Sequence, residues 1–132
     1  MAWTVVETVE EEKWGPEGKL FVLLKIACTA DAGAKTYVIE NFAKISGMFL
    51  YAVVTVPGSG ADAPSAAYTL DIEDQNAFHL MDLDSVSTSA TAWNLGTVTL
   101  TQYPVLWGRP QLVFNTAIGT GNKTTVYLFC VK

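Results

Sequence analysis

Hydrophobic and polar positions alternate along much of this chain, most cleanly at residues 68–73. There Tyr68, Leu70 and Ile72 point one way and Thr69, Asp71 and Glu73 the other. A period of two with one apolar face predicts a strand that lies on a core with its other side in water. Just before it, residues 48–56 hold Tyr51, Val53, Val54, Thr55 and Val56, the β-branched and aromatic types that suit a pleated surface. The stretch from Pro57 to Pro64 between them contains two prolines and two glycines, so it continues neither strand nor helix and reads as a surface loop.

The remaining runs gather around that pair. A first strand is predicted over residues 3–9, followed by acidic residues and a turn at 14–18. Over residues 19–29, Leu20, Val22, Leu24, Ile26 and Cys28 share one face. The other face starts apolar at Phe21 and Leu23 and ends polar, which suits a strand covered on both sides near Phe21. Residues 36–45 mix strand and helix signals, and Thr36, Tyr37, Val38 and Ile39 tip the reading to strand. Gln75, Asn76 and Ala77 form a tight connection to a strand at 78–83, giving a hairpin with 68–74. Residues 85–92 read as a loop, 97–103 as another alternating strand, and 111–115 and 124–131 as the last two strands, the latter entered by a turn at 119–123. Pro104 and Pro110 bracket residues 105–109. Short strands at regular intervals with little helix predict an all-β fold, an antiparallel β-sandwich of jelly-roll-like type. Residues 1–18 form an N-terminal strand and acidic arm, and residues 19–132 a single β-sandwich domain.

Composition adds one constraint. The chain has 132 residues, half of them hydrophobic and only 16% charged, against roughly 25% in an average domain. Mean hydropathy is +0.27. So few charges leave apolar surface to be covered, which points to burial in a larger assembly. A net charge of −5 argues against nucleic acid as a partner, which needs a basic face. The longest apolar run, residues 20–28, is broken by Lys25 and is far shorter than the roughly 20 residues of a membrane span. An acidic rather than basic N-terminus argues against a secretory signal, so synthesis in a cytoplasm is expected.

Candidate chemistry is sparse. His79 is the single histidine, and no spacing places a serine or cysteine beside it as a nucleophile. Asp71, Glu73, Asp74, Asp82 and Asp84 fall on adjacent hairpin strands, where a cation site is conceivable. The segment is no EF-hand, and a solvated outer strand face is the better reading. Gly119 to Thr124 superficially looks like a phosphate loop but lacks its glycines and its strand-to-helix context. Cys28 and Cys130 read as buried free thiols. No catalytic residue, metal ligand or cofactor is assigned. The residues expected at an interface are Trp93, Tyr103, Trp107 and Arg109, of types enriched in binding hot spots and held between prolines and glycines. Glu10, Glu11 and Glu12 are expected to add electrostatic complementarity.

One resemblance emerges from the order of these features: Gly47, Tyr51, Val56-Pro57, Ala63-Pro64, the run Tyr68 to Ile72, Asp74, and the closing run Lys123 to Leu128. Across residues 21–131 the sequence resembles small structural proteins of tailed-bacteriophage virions, in which a β-sandwich decorates or cements the head. The motif carries no catalytic residues. The resemblance implies a non-enzymatic capsid decoration or cement protein, made in a bacterial host's cytoplasm and located in the virion. Its partners would be the major capsid protein or other virion proteins and its own copies, with a trimer suiting a threefold position and with no nucleic acid or membrane partner. The alternatives are a neck, tail or baseplate component, or a carbohydrate-binding β-sandwich that uses exposed tryptophans.

Overall fold

The computed structural model describes residues 3–14, 20–100, 102–114 and 118–132. Of the turn expected at residues 14–18 only Trp14 is among them, and Lys19, Thr101 and Asn115, within or at the ends of expected strands, also lie outside. The described residues form nine strands: β1 (Thr4–Trp14), β2 (Leu20–Thr29), β3 (Lys35–Val38), β4 (Phe49–Pro57), β5 (Tyr68–Glu73), β6 (His79–Val86), β7 (Ala92–Leu95), β8 (Gln111–Phe114) and β9 (Lys123–Val131). Two four-residue helical turns, α1 (Phe42–Ile45) and α2 (Thr97–Leu100), and a 3₁₀ turn at Gly60–Asp62 complete the elements. The strands make two antiparallel sheets, one of five in the order β1-β2-β9-β4-β7 and one of four in the order β3-β8-β5-β6. The fold is the all-β sandwich that the alternating pattern predicts, a single domain with almost no helix.

The period-two faces meet between the sheets. Val22, Leu24 and Ile26 of β2, Val53 of β4, and Val126 and Leu128 of β9 face Tyr68, Leu70 and Ile72 of β5 and Leu80 of β6 in one core cluster, all 5% exposed or less. Tyr68 places its only polar atom where Thr124 Oγ1 stands 2.8 Å away, so the largest buried aromatic is satisfied. Cys28 and Cys130 are buried free thiols. Both belong to the β2–β9 pair, but Cys28 faces Thr124 and Cys130 faces Val22, six positions apart along the ladder.

One edge of the sandwich is closed by a single carboxylate. Glu7 of β1 accepts from Tyr37 Oη at 2.9 Å and the Glu40 amide at 2.9 Å through one oxygen, and from the Asn41 amide at 2.7 Å and the Asn41 side chain through the other. Those bonds explain a departure from expectation. Residues 36–45 begin as strand β3, but the amides of Glu40 and Asn41 turn to Glu7 instead of a ladder, and the chain continues as α1.

Two further expectations are corrected. Of the strand expected at 97–103, residues 97–100 form the helical turn α2 and residues 102–103 no strand, because Gly96 turns the chain out of β7 with its backbone packed so close to Leu50 that a Cβ would stand 2.0 Å from the Leu50 carbonyl oxygen. The following turn α2 lies along β6, an edge strand, where Thr99 Oγ1 accepts the Asp82 amide at 2.8 Å. A threonine hydroxyl thus takes a backbone donor that a further strand would otherwise take. The loop expected at residues 85–92 is shorter than its polar composition suggests, since β6 runs to Val86 and β7 starts at Ala92. At the β5–β6 hairpin the tight connection is as expected: Asp74 Oδ1 accepts the amides of Asn76 and Phe78, and Ala77 adopts a φ of 62°.

Two outcomes follow from the core. Replacing Leu70 or Ile72 by Ala is expected to cost about 2–5 kcal/mol in denaturant unfolding, and a loss under about 0.5 kcal/mol at both would mean that neither fills the core. Burial pushes the Cys28 and Cys130 thiols up to about 12, which keeps them protonated at pH 8. A thiol reagent at that pH should therefore label the native protein negligibly and both cysteines after denaturation; fast native labelling would contradict the buried placement.

Candidate functional site

The outer face of the five-stranded sheet does not alternate to polar as an antiparallel sheet facing water normally does. The strand register assembles it in cross-strand rows. In one row Lys25 of β2 stands beside Tyr127 of β9, then Val54 of β4 and Trp93 of β7. In the next, Leu23 stands beside Phe129, then Ala52 and Leu95. Phe21 and Phe129 pack at 5.8 Å between ring centroids, and Trp93 and Phe129 at 5.0 Å. A groove of about 260 Å³ runs between them, lined by Leu23, Val54, Thr91, Trp93, Tyr127 and Phe129. Tyr51 and Tyr103 stack at 5.2 Å beside the start of β4. Despite these contacts Trp93 remains 63% exposed and Leu95 49%.

The same face changes character across the sheet. On the β1 side the outward residues include Glu11 beside Leu23 and Lys13 beside Phe21. Glu10, Glu11 and Glu12 all lie in β1, and each meets a lysine: Glu10 with Lys25 at 3.9 Å and Glu11 with Lys13 at 3.5 Å, while Glu12, the cross-strand partner of the core residue Val22, points to the other side of β1 and meets Lys44 of α1 at 3.0 Å. The face is thus charged along one edge and aromatic along the other.

The structure brings Trp93 and Tyr103 to this aromatic side. Trp107 and Arg109 lie further along the chain, past residues 104–106, which pair with the start of β4 through the Leu50 amide to Pro104 and the Leu106 amide to the Met48 carbonyl. Trp107 is 65% exposed, and the Arg109 guanidinium sits 4.9 Å over the Phe42 ring of α1. Phe129, Tyr127, Leu23 and Leu95 were missed as surface residues in the sequence reading. The apolar character of both faces of β2 and β9 is the signal that finds Leu23, Tyr127 and Phe129; Leu95 lies in β7, and only the strand order places it on this face.

The hairpin carboxylates depart from expectation. Asp71 and Glu73 are only 6% and 7% exposed and do not form a solvated face. They are roofed by neighbours on their own side of the sheet, where Gln111 Nε2 donates to Glu73 Oε1 at 3.1 Å and His79 spans the group. His79 Nδ1 is 2.6 Å from Asp82 Oδ1 and 3.9 Å from Asp71 Oδ2, while Nε2 is 3.3 Å from Glu73 Oε2. The hydrogen bond to Asp82 raises the histidine's pKa above its ordinary value. Its close partners are therefore carboxylates, and Cys28 and Cys130 lie in strands of the other sheet. A second cleft, of about 270 Å³, opens between β6 and the β4–β7 edge and is lined in part by Thr55, Asp84, Ser85 and Asn94.

Comparison with known proteins finds no matching family and no matching curated protein. No helix among the described residues is long and apolar enough to cross a membrane.

Exposure separates surface aromatics from those that hold the fold. Trp93→Ala and Trp107→Ala should each change unfolding free energy by less than about 1 kcal/mol. A loss in denaturant titration as large as that of a core truncation would show that these rings serve the fold rather than a partner.

Proposed function

We propose that this chain is a non-enzymatic structural protein of a tailed-bacteriophage virion, a decoration or cement protein that binds the assembled shell and its own copies. The observation that carries the binding role is the aromatic outer face of β2, β9, β4 and β7, with Trp93 and Leu95 largely bare. An apolar sheet face of this kind marks an interaction surface, and Trp and Tyr are the types that dominate binding energy. The virion assignment is supported by the sequence resemblance over residues 21–131, and by a low charge content that leaves apolar surface to be covered. Arg109, over the Phe42 ring of α1, and the exposed Trp107 supply further contacts of hot-spot type. The charged β1 edge orients the approach, since electrostatic complementarity sets register and on-rate more than affinity.

The test compares two folded double variants with the parent. Trp93→Ser with Tyr103→Ser removes aromatic groups from the outer face, and Trp107→Ala with Arg109→Ala removes the second group. Light scattering gives the oligomer mass, and co-sedimentation with shells assembled without this protein gives binding. The outer-face variant is expected to lose at least tenfold in self-association or shell affinity, which corresponds to about 1.4 kcal/mol. If both variants assemble and bind like the parent, these surfaces are not the interface. A parent that is monomeric, ignores shells and gains thermal stability from glycans would instead be a carbohydrate-binding module.

A further inference from the structure

We propose that Asp71, His79 and Asp82 form a divalent transition-metal site on the β5–β6 hairpin, with Glu73 as the residue that positions the imidazole. This goes beyond the virion reading and does not depend on it. The strand register sets up the arrangement: Asp71 is the direct cross-strand partner of Asp82, and Glu73 of His79. Two carboxylates placed directly opposite on one sheet face repel, and here one of them is almost wholly buried, with 8% of the Asp71 side chain exposed. His79 Nδ1 faces Asp71 Oδ2 at 3.9 Å, and a divalent cation set among the three groups would offset the repulsion between the two aspartates more fully than the imidazole alone.

The imidazole makes this more than an acidic patch. Its two nitrogens face different groups. Nε2 points at Glu73 Oε2 at 3.3 Å, and Glu73 is itself held by Gln111 through its other oxygen. Only 10% of the Glu73 side chain is exposed, so this carboxylate is a fixed acceptor. Nδ1 and Asp82 Oδ1 share a proton in a 2.6 Å hydrogen bond. A divalent ion would displace that proton to solvent and take the Nδ1 lone pair between Asp71 and Asp82, with the Nε2 proton still donated to Glu73. A histidine oriented by a carboxylate on its far nitrogen is the outer arrangement that metal-bound histidines adopt.

Spacing agrees. Nδ1 lies 2.6 Å from Asp82 Oδ1 and 3.9 Å from Asp71 Oδ2, and one ligand atom from each residue lies within 4.8 Å of the other two. Ligands bound at about 2.0–2.2 Å stand about 3.3 Å apart around a tetrahedral ion, so the Nδ1–Asp82 distance must widen by about 0.7 Å and the Nδ1–Asp71 distance close by about 0.6 Å, movements that rotation of the part-exposed His79 and Asp82 side chains supplies. Half of the His79 side chain and a third of the Asp82 side chain are exposed, which leaves the outer side open for ion entry and for water ligands. One imidazole with two carboxylates selects Zn²⁺, Co²⁺ or Mn²⁺. It does not favour Ca²⁺, which collects six to eight oxygens at about 2.3–2.6 Å.

The test uses the untagged full-length chain, freed of metal by chelator. His79 is its single histidine, so an imidazole signature is unambiguous. Zn²⁺ titrated calorimetrically should bind with one-to-one stoichiometry and raise the thermal midpoint, and Co²⁺ should give visible bands from a site with nitrogen ligation. His79→Ala should weaken binding at least 100-fold. Glu73→Gln should weaken it about 10–100-fold while keeping the stoichiometry, the usual cost of losing an outer partner. Asp62→Asn, in the 3₁₀ turn and paired with Lys123 rather than with this cluster, should bind as the parent does. Circular dichroism in chelator confirms that each variant is folded, and if His79→Ala does not fold, Asp82→Asn takes its place with the same 100-fold expectation. No saturable Zn²⁺ binding at millimolar ion overturns the site, as does binding that survives His79→Ala or a response to Ca²⁺ equal to that to Zn²⁺.

Discussion

The structure depends on the last strand being in the middle. β9 lies between β2 and β4, so the five-stranded sheet is not continuous until the C-terminal segment is in place. Its two faces do different jobs. Val126, Leu128 and Cys130 are fully buried against the opposite sheet, whereas Tyr127 and Phe129 form the floor of the outer aromatic face. Because side chains alternate strictly along a strand, a slip of one residue would exchange these sets. The register that secures the core therefore also builds the surface. A sheet whose central strand comes last in the chain is rich in contacts distant in sequence, which makes for slow folding.

How much of this was legible depends on whether the deciding forces were local. The alternation at Tyr68–Glu73 gave that strand to the residue, and most of the core positions named above follow from period-two faces, though Val53 lies in a run, residues 52–55, that is buried on both sides. Where reading failed, a tertiary partner overrode the local pattern. Residues 97–103 alternate as a strand would, but Gly96 turns the chain against Leu50 and Thr99 is needed at the edge of β6. Residues 40–41 are drawn from the ladder by Glu7, 33 or more positions earlier in the chain. No window of sequence contains both ends of such a contact.

The candidate sites show the same division. Trp93 and Tyr103 could be named from residue type and flanking turns, but their neighbours Leu23 and Phe129 could not, because an apolar residue on a strand is by default assigned to the core. The hairpin residues were visible as a set of carboxylates and one histidine. Their burial was not, since it comes from Gln111 of β8, which the register sets beside Glu73.

The two sites also differ in what they ask of the scaffold. An aromatic face needs only area and a fixed register, and it tolerates small shifts because dispersion contacts are many and individually weak. The His79 cluster needs donor atoms held to a few tenths of an ångström. Short, doubly anchored parts limit how far the proposed ligands must move. Asp74 ties the hairpin turn with two amide bonds, Thr99 fixes the Asp82 backbone, and Gln111 fixes Glu73. The sites lie on different sheets, and the core between them joins those sheets into one body. Anything that tightens the β5–β6 hairpin is therefore felt by the aromatic face mainly as added stability of the whole sandwich, because the face's own geometry is set by the β2–β9–β4 register.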